Sequence, residues 1–144
     1  MIYKLRGEPK ESEKEGETQP RDNYYGYWEE GKKNGEGVLT YENGDLYSGN
    51  WKNNKRDGKG TYIFFSTGIK YVGDWSKGNF VYGKWLFPNG AYFEGNFEAN
   101  QPKGVGNWVF VNGDSVRGEY GHTIVQEGID GPKTIKLNWN TLDD

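Results

Sequence analysis

The sequence predicts an all-β chain, a single-layer antiparallel meander of consecutive β-hairpin repeats. Three observations predict it. First, one pattern of aromatic residues and glycines returns five times at a spacing near 23 residues: Tyr24-x-Gly26-x-Trp28, Tyr47-x-Gly49-x-Trp51, Tyr71-x-Gly73-x-Trp75, Phe93-x-Gly95-x-Phe97 and, degenerate, Val116-x-Gly118-x-Tyr120. A period longer than a heptad and shorter than a domain specifies stacked units. Second, each copy alternates with period two, which sends one set of side chains to one face of a strand. Third, Asn43-Gly44, Asn89-Gly90 and Asn112-Gly113, with Thr67-Gly68 in the second copy, are hairpin turn signals. About ten strands follow, one hairpin per repeat.

The elements are justified in chain order. Residues 1–23 are expected to form a flexible polar arm: after Ile2, Tyr3 and Leu5, positions 6–23 mix charges with Pro and Gly and lack periodic apolar residues, so they cannot offset the entropy of ordering. Residues 24–120 hold the five repeats, and their register checks position by position. Gly37, Gly60, Gly83 and Gly106 step by 23, as do Leu39, Tyr62, Trp85 and Trp108, and Tyr41, Phe64, Phe87 and Phe110. The Trp and turn-glycine series locate one inserted residue within Phe64–Gly68 and one deletion between Trp75 and Gly83, both in or beside loops. In that third copy Val81 stands where the first Gly of Gly-x-Gly belongs. Longer turns, such as Glu29–Asn34 and Lys52–Asp57, close the other end of each hairpin. Residues 121–144 read as a capping or docking segment, with apolar stretches at 123–126 and 134–139 joined by Glu127–Lys133.

Composition agrees with an array rather than a thick-cored globule. Only 33% of the 144 residues are hydrophobic, whereas 17% are aromatic and 23 are Gly, so burial must come largely from rings. Rings and glycines share one face; Ser48, Asn50, Asp74, Glu94, Asn96, Arg117 and Glu119 give the other a mostly polar character. The central Gly of each Tyr-x-Gly-x-Trp bares the backbone, so an aromatic from the neighbouring strand is expected to lie over it. A net charge of −3 supplies no cationic field for nucleic acid. Zero cysteines exclude disulfides and thiolate zinc, which suits a reducing intracellular compartment. No apolar run approaches the roughly 18 residues of a membrane span, and the N-terminus shows no secretory h-region.

Tyr-x-Gly-x-Trp, then Gly-x-Gly, then Asn-Gly, closing with the next Tyr, resembles the MORN repeat, over residues 24–120. Ser66–Trp75, Pro102–Phe110 and Gly118–Tyr120 are further similar to closing repeats of the radial spoke head MORN proteins of cilia and flagella. That resemblance implies a non-catalytic protein-interaction subunit of the axonemal spoke head, located in the cytoskeleton of the cilium or flagellum, with other spoke-head proteins as partners, and with self-association possible within such an assembly.

Candidate sites follow from the residue types. His122 is the lone histidine, and with no Cys and no nucleophile elbow around Ser115 it reads as structural or solvent-facing. Glu29-Glu30 and Asp143-Asp144 read as solvated acids, and the Gly-x-Gly pairs lack the helix and Gly-Lys-Ser/Thr ending of a phosphate loop. No catalytic residue, metal or cofactor is expected. Lys32, Lys33, Lys55, Arg56 and Lys103 form a turn row interleaved with acids. It reads as a solvated mixed-charge edge, the alternative being a peripheral membrane adaptor binding anionic phospholipid through these basic turns. Trp28, Trp51 and Trp75 are expected in the core. The protein-binding candidates are Trp85, Phe87, Trp108, Phe110 and Trp139, because a one-layer sheet leaves part of a ring-lined face open. Tyr25 and Tyr27 extend aromatics to the opposite face.

Overall fold

The computed structural model describes residues 2–4 and 22–142. Its strands, in chain order, are β1 (Ile2–Lys4), β2 (Asn23–Glu29), β3 (Lys32–Thr40), β4 (Leu46–Lys52), β5 (Lys55–Ile63), β6 (Lys70–Ser76), β7 (Asn79–Leu86), β8 (Tyr92–Glu98), β9 (Gln101–Val109), β10 (Ser115–Gln126) and β11 (Lys133–Thr141). These 11 strands make one sheet in sequence order, every neighbouring pair antiparallel. The all-β meander read from the sequence is the fold observed. Of the expected arm, residues 5–21 lie outside the described residues. Its last two positions belong to the array: Asp22 is buried and accepts the Glu42 backbone N–H at 2.8 Å, and Asn23 opens β2.

The two kinds of connection are the reverse of the sequence expectation. The predicted long turns are two-residue hairpins, Glu30-Gly31, Asn53-Asn54, Lys77-Gly78 and Ala99-Asn100, and every one of these residues has positive φ. Two consecutive left-handed residues match the right-handed twist of the flanking strands, which is why such turns join strands tightly. The Asn-Gly pairs instead sit in wider loops. Tyr41 N–H donates to Asp45 O at 2.8 Å, Gly44 N–H to Tyr41 O at 2.9 Å, and Asp45 N–H to the Asn43 side chain at 3.0 Å. Only the glycine is left-handed there, so Asn43 serves as an acceptor rather than as a positive-φ residue. The inserted residue lies where the register located it: Phe64 N–H reaches Ile69 O, one position farther than the Tyr41–Asp45, Phe87–Ala91 and Phe110–Asp114 equivalents.

The deletion lies inside a strand, in a β-bulge. Between Gly26 and Trp28 the partner strand runs from Gly37 to Lys33, so one residue faces three; the same shift recurs between Gly49 and Trp51 and between Gly95 and Phe97. Gly35, Gly58 and Gly104, the first glycines of Gly-x-Gly, turn these bulges with φ of 95°, 99° and 84°. In the third copy the shift narrows to Trp75↔Phe80 beside Asp74↔Tyr82, leaving Val81 as the single extra residue. The missing residue and the missing glycine are therefore one event. A shorter bulge has no left-handed position, so Val81 fits, and the distortion moves to Gly73 and Gly83, at φ 156° and 146°.

The second glycines, with the central glycines of Tyr-x-Gly-x-Trp, do something else. Gly26, Gly37, Gly49, Gly60, Gly73, Gly83, Gly95, Gly106 and Gly118 stand opposite one another across successive strands from β2 to β10, a bare row through the sheet. Rings fill it. A β-carbon on Gly37 would strike the Tyr24 hydroxyl, one on Gly60 the Tyr47 hydroxyl, one on Gly106 the Phe93 ring and one on Gly118 the Trp139 ring. Tyr24 and Tyr47 run along their own strands, each donating its hydroxyl to a carbonyl three residues on, Tyr27 at 2.9 Å and Asn50 at 3.0 Å. So one ring covers both its own-strand glycine and the glycine of the next strand. In the third copy Tyr71 turns away to donate to Asn100 O at 2.9 Å, and Phe80 approaches Gly83 instead.

Trp51 packs edgewise on Tyr47 of its own copy (5.0 Å) and Tyr24 of the previous one (5.6 Å), and Trp75 repeats this with Tyr47 at 5.3 Å. Each indole also reaches back one copy, Trp51 Nε1 donating to Gly37 O at 3.0 Å and Trp75 Nε1 to Gly60 O at 3.1 Å. The buried core is this ring stripe, Tyr24, Trp28, Leu39, Tyr47, Trp51, Tyr71, Trp75, Phe80, Phe93 and Phe97. A single layer buries it because neighbouring rings cover one another.

The reverse face is less polar than expected. Leu46, Ile63, Leu86, Tyr92 and Val109, interrupted by Lys70, form a half-buried row across β4–β9. Ile63, Leu86 and Val109 repeat at 23, a fourth register that the rings overshadow. At the C-terminal end β11 pairs with β10 from Gly118↔Thr141 to Gln126↔Lys133, so the tail is a hairpin strand laid on the last repeat, with Trp139 on the glycine row.

Gly60→Ala should cost about 2 to 3 kcal/mol by overpacking against Tyr47, and Gly73→Val more, while Gly121→Ala, with nothing near its β-carbon, should be close to neutral; urea denaturation of the three variants orders them. Trp51→Ala should cost about 3 to 5 kcal/mol as a shared ring. A measured loss below about 1 kcal/mol would mean the two copies do not share it.

Candidate functional site

The ring face carries two zones that differ in closure. Trp28, Trp51 and Trp75 are 3 to 5% exposed and belong to the core. Past them, towards the wider loops, a second row stays half-open. Trp85 lies 5.0 Å from Phe87 and 5.5 Å from Trp108, Phe87 lies 5.6 Å from Trp108, and Phe110 stacks on Trp108 at 6.4 Å and 10°. Positions two apart put Trp85 with Phe87 and Trp108 with Phe110 on one side of β7 and β9 and their loop entries, so four of the five predicted contact residues form one cluster. Phe110 keeps 43% of its surface exposed. Trp139 joins through Tyr120, 4.8 Å away, which also accepts Trp108 Nε1–H at 2.9 Å. Its ring is engaged within the fold, over Gly118.

The basic residues do not form one row. Lys33 is fully buried, its Nζ 5.4 to 5.7 Å from the ring centres of Trp28, Tyr24 and Trp51. Lys103 pairs with Glu98 at 2.6 Å, which holds that carboxyl below its usual range. Arg56 lies across the ring face: Nη1 donates to the Tyr41 hydroxyl at 2.7 Å, and Nη2 and Nε to Gly78 O at 2.6 and 3.2 Å, with Cζ 5.2 Å from Trp75 and 5.5 Å from Tyr62. Lys32 and Lys55 remain exposed at the first positions of β3 and β5, beside the turns.

Lys33, Arg56, Phe80 and Pro102 stand opposite Trp28, Trp51, Trp75 and Phe97, so they share one row that changes from cation to apolar along the array. Sequence reading grouped Lys33 and Arg56 with their exposed neighbours because turn charges are usually solvated. The register 33, 56, 80, 102 was the signal that separates them. Tyr41, through its hydroxyl, and Asp45 were also missed. Asp45 is buried, accepting the Tyr62 hydroxyl at 2.6 Å and the Phe65 N–H at 2.8 Å.

Among the described residues no group of three or more His, Cys, Asp or Glu could hold a metal. His122 Nε2 donates to Pro102 O at 2.8 Å, a structural contact. Glu29 and Glu30 lie at a tight turn, whereas Asp143-Asp144 lie outside the described residues. Tyr25 and Tyr27 flank an open groove of about 430 Å³ on the reverse face, beside Glu36, Ser48 and Asn50.

Burial raises the tyrosine hydroxyls of the ring face: Tyr24 and Tyr47 well above their ordinary value, Tyr62 likewise with Asp45 adding to it, and Tyr71 up to about 12. An unfolded tyrosine ionises near 10.0. Stability is therefore intact below that pH and falls as pH rises from 10 towards 12, because the unfolded chain releases protons that the folded chain keeps. Thermal melts across that window should drop steeply, and Tyr24→Phe together with Tyr47→Phe should flatten the decline.

No curated protein matches the chain. The family model described as MORN repeat matches residues 24–46, 47–68, 71–92 and 93–115, covering four of the five copies and more than half of the chain. MORN arrays of this all-β kind are typically non-catalytic and serve protein interaction or membrane binding. The hairpin pairs, the glycine row and the family match agree: the chain belongs to the MORN repeat family.

Proposed function

We propose that this chain is a non-catalytic scaffold subunit that holds a protein partner on its ring face, within the radial spoke head of the ciliary or flagellar axoneme. One observation carries the interaction reading: the Trp85, Phe87, Trp108 and Phe110 cluster is contiguous, aromatic and half-open, while the parallel Trp28, Trp51 and Trp75 row is sealed. Aromatic clusters of this kind supply most of the energy of protein interfaces, because rings bury large area at low entropy cost. The spoke-head assignment rests on sequence likeness alone, at Ser66–Trp75, Pro102–Phe110 and Gly118–Tyr120. Other spoke-head proteins are the partners it implies, and no nucleic acid or cofactor enters the reading.

The rival is a peripheral adaptor on anionic lipid. Burial of Lys33, anchoring of Arg56 and pairing of Lys103 take three of the five basic turn residues out of a lipid-facing row, which is why the protein partner is preferred. Affinity capture from ciliary extract should retrieve spoke-head proteins with the native chain, and Trp85→Ala with Trp108→Ala should lose them while circular dichroism stays β-rich. Liposome flotation at low and high salt runs beside it. Salt-sensitive flotation without spoke proteins in the capture would overturn the proposal.

A further inference from the structure

Arg56 stands between two neighbouring cavities on the ring face. One, of about 330 Å³, has a mixed lining in which Lys55, Arg56 and Lys77, with Asn54 and Asn79, meet Leu39 and Trp51. The other, of about 190 Å³, is walled by Tyr62, Phe64, Tyr71 and Trp75, with Asn100 and again Arg56. The guanidinium has five N–H groups, of which three are used, two on Gly78 O and one on Tyr41. One N–H on each terminal nitrogen is left over. Among the described residues no carboxylate pairs with Arg56, Lys55 or Lys77, and no acid lines either cavity. Of the acids close by, Asp45 accepts from Tyr62 and Phe65, and Asp57 accepts the Lys77 backbone N–H at 3.1 Å.

The lining of the first cavity thus holds three cations and no acid, on a chain whose net charge is −3, beside the ring-walled slot. An anionic bilayer would meet the whole negative chain, whereas a single carboxylate side chain would meet only the cations. Residues two apart on an extended strand project to the same side at a separation of roughly 7 Å, and the two cavities adjoin through one shared guanidinium.

We propose that the cavities flanking Arg56 form a two-part site for an extended partner segment of the pattern acid-x-apolar. Its Asp or Glu carboxylate meets Arg56, Lys55 and Lys77, and its Leu or Phe side chain enters the slot of Tyr62, Phe64, Tyr71 and Trp75. The site rests on the reading that the ring face takes a protein partner, and it supplies that partner's chemistry at a place separate from the Trp85–Trp108 cluster.

Fluorescence anisotropy of the full chain with labelled Gly/Ser-framed peptides carrying Glu-x-Phe, Gln-x-Phe or Glu-x-Ser tests it. Glu-x-Phe should bind about tenfold tighter than either control, and added salt should weaken it. Lys55→Glu with Lys77→Glu changes two exposed side chains outside the ring packing, so the fold should persist and the preference for Glu over Gln should vanish. Arg56→Gln, checked for folding by circular dichroism, should remove it too. Equal affinity of the native chain for Glu-x-Phe and Gln-x-Phe would overturn the proposal, as would phosphatidylserine vesicles that bind the native chain and displace the peptide. If peptide discrimination fails while capture through Trp85 and Trp108 persists, only the two-part site is lost.

Discussion

The array depends on the packing of a ring against bare backbone. Each strand from β2 to β10 contributes one glycine to a continuous row, and a tyrosine, phenylalanine or tryptophan lies on it. Removing the β-carbon lets the ring approach the sheet closely enough for its edge to meet the next indole and for its hydroxyl to reach a carbonyl of its own strand. Other features follow from it. The rings lie along the sheet rather than standing on it, so one layer can bury them, and a chain poor in aliphatic residues still builds a core. Strand register is fixed as well, because a slip by one residue would put a β-carbon where a ring must lie.

How much of this was legible in the sequence differs by level. The strands, their faces and the inserted residue were legible, since period two and the 23-residue register both report backbone geometry directly. Turn types were not. Asn-Gly is a strong two-residue hairpin signal, yet here Asn43 uses its side chain as an acceptor and only Gly44 is left-handed. Glu30, Lys77 and Ala99 are poor turn residues by type, yet adopt positive φ because the flanking strands impose it. The roles of the two glycines in Gly-x-Gly were legible only in outline. Sequence shows two glycines; in the fold one turns a bulge and the other receives a ring. At the site level the Trp85 cluster could be named from spacing, whereas Arg56 could not, because its partners Tyr41, Gly78 and Trp75 come from the copies before and after its own and nothing local marks it.

The repeats are alike in backbone and unlike in the row facing the tryptophans. Lys33 is sealed among rings, Arg56 is anchored but still open, and Phe80 and Pro102 make the later copies apolar. A regular scaffold thus presents irregular chemistry, and the two candidate contact regions fall in different copies: a charged one around repeat two and an aromatic one across repeats three and four. The shortened bulge of β7 lies between them, where Phe80 replaces Tyr71 over the glycine row.

The indole hydrogen bonds give the array a direction. Trp51 and Trp75 each donate to a carbonyl of the copy before, never the copy after, so every such repeat is completed by its predecessor. Trp28 stands first in that series, and its buried Nε1 has no acceptor among the described residues. A buried donor left without a partner costs about 1 to 3 kcal/mol. Losing repeats from the front would therefore only pass this orphan to the next indole, while losing them from the back would create none. The two ends of the sheet are not equivalent places to cut, extend or fuse the chain.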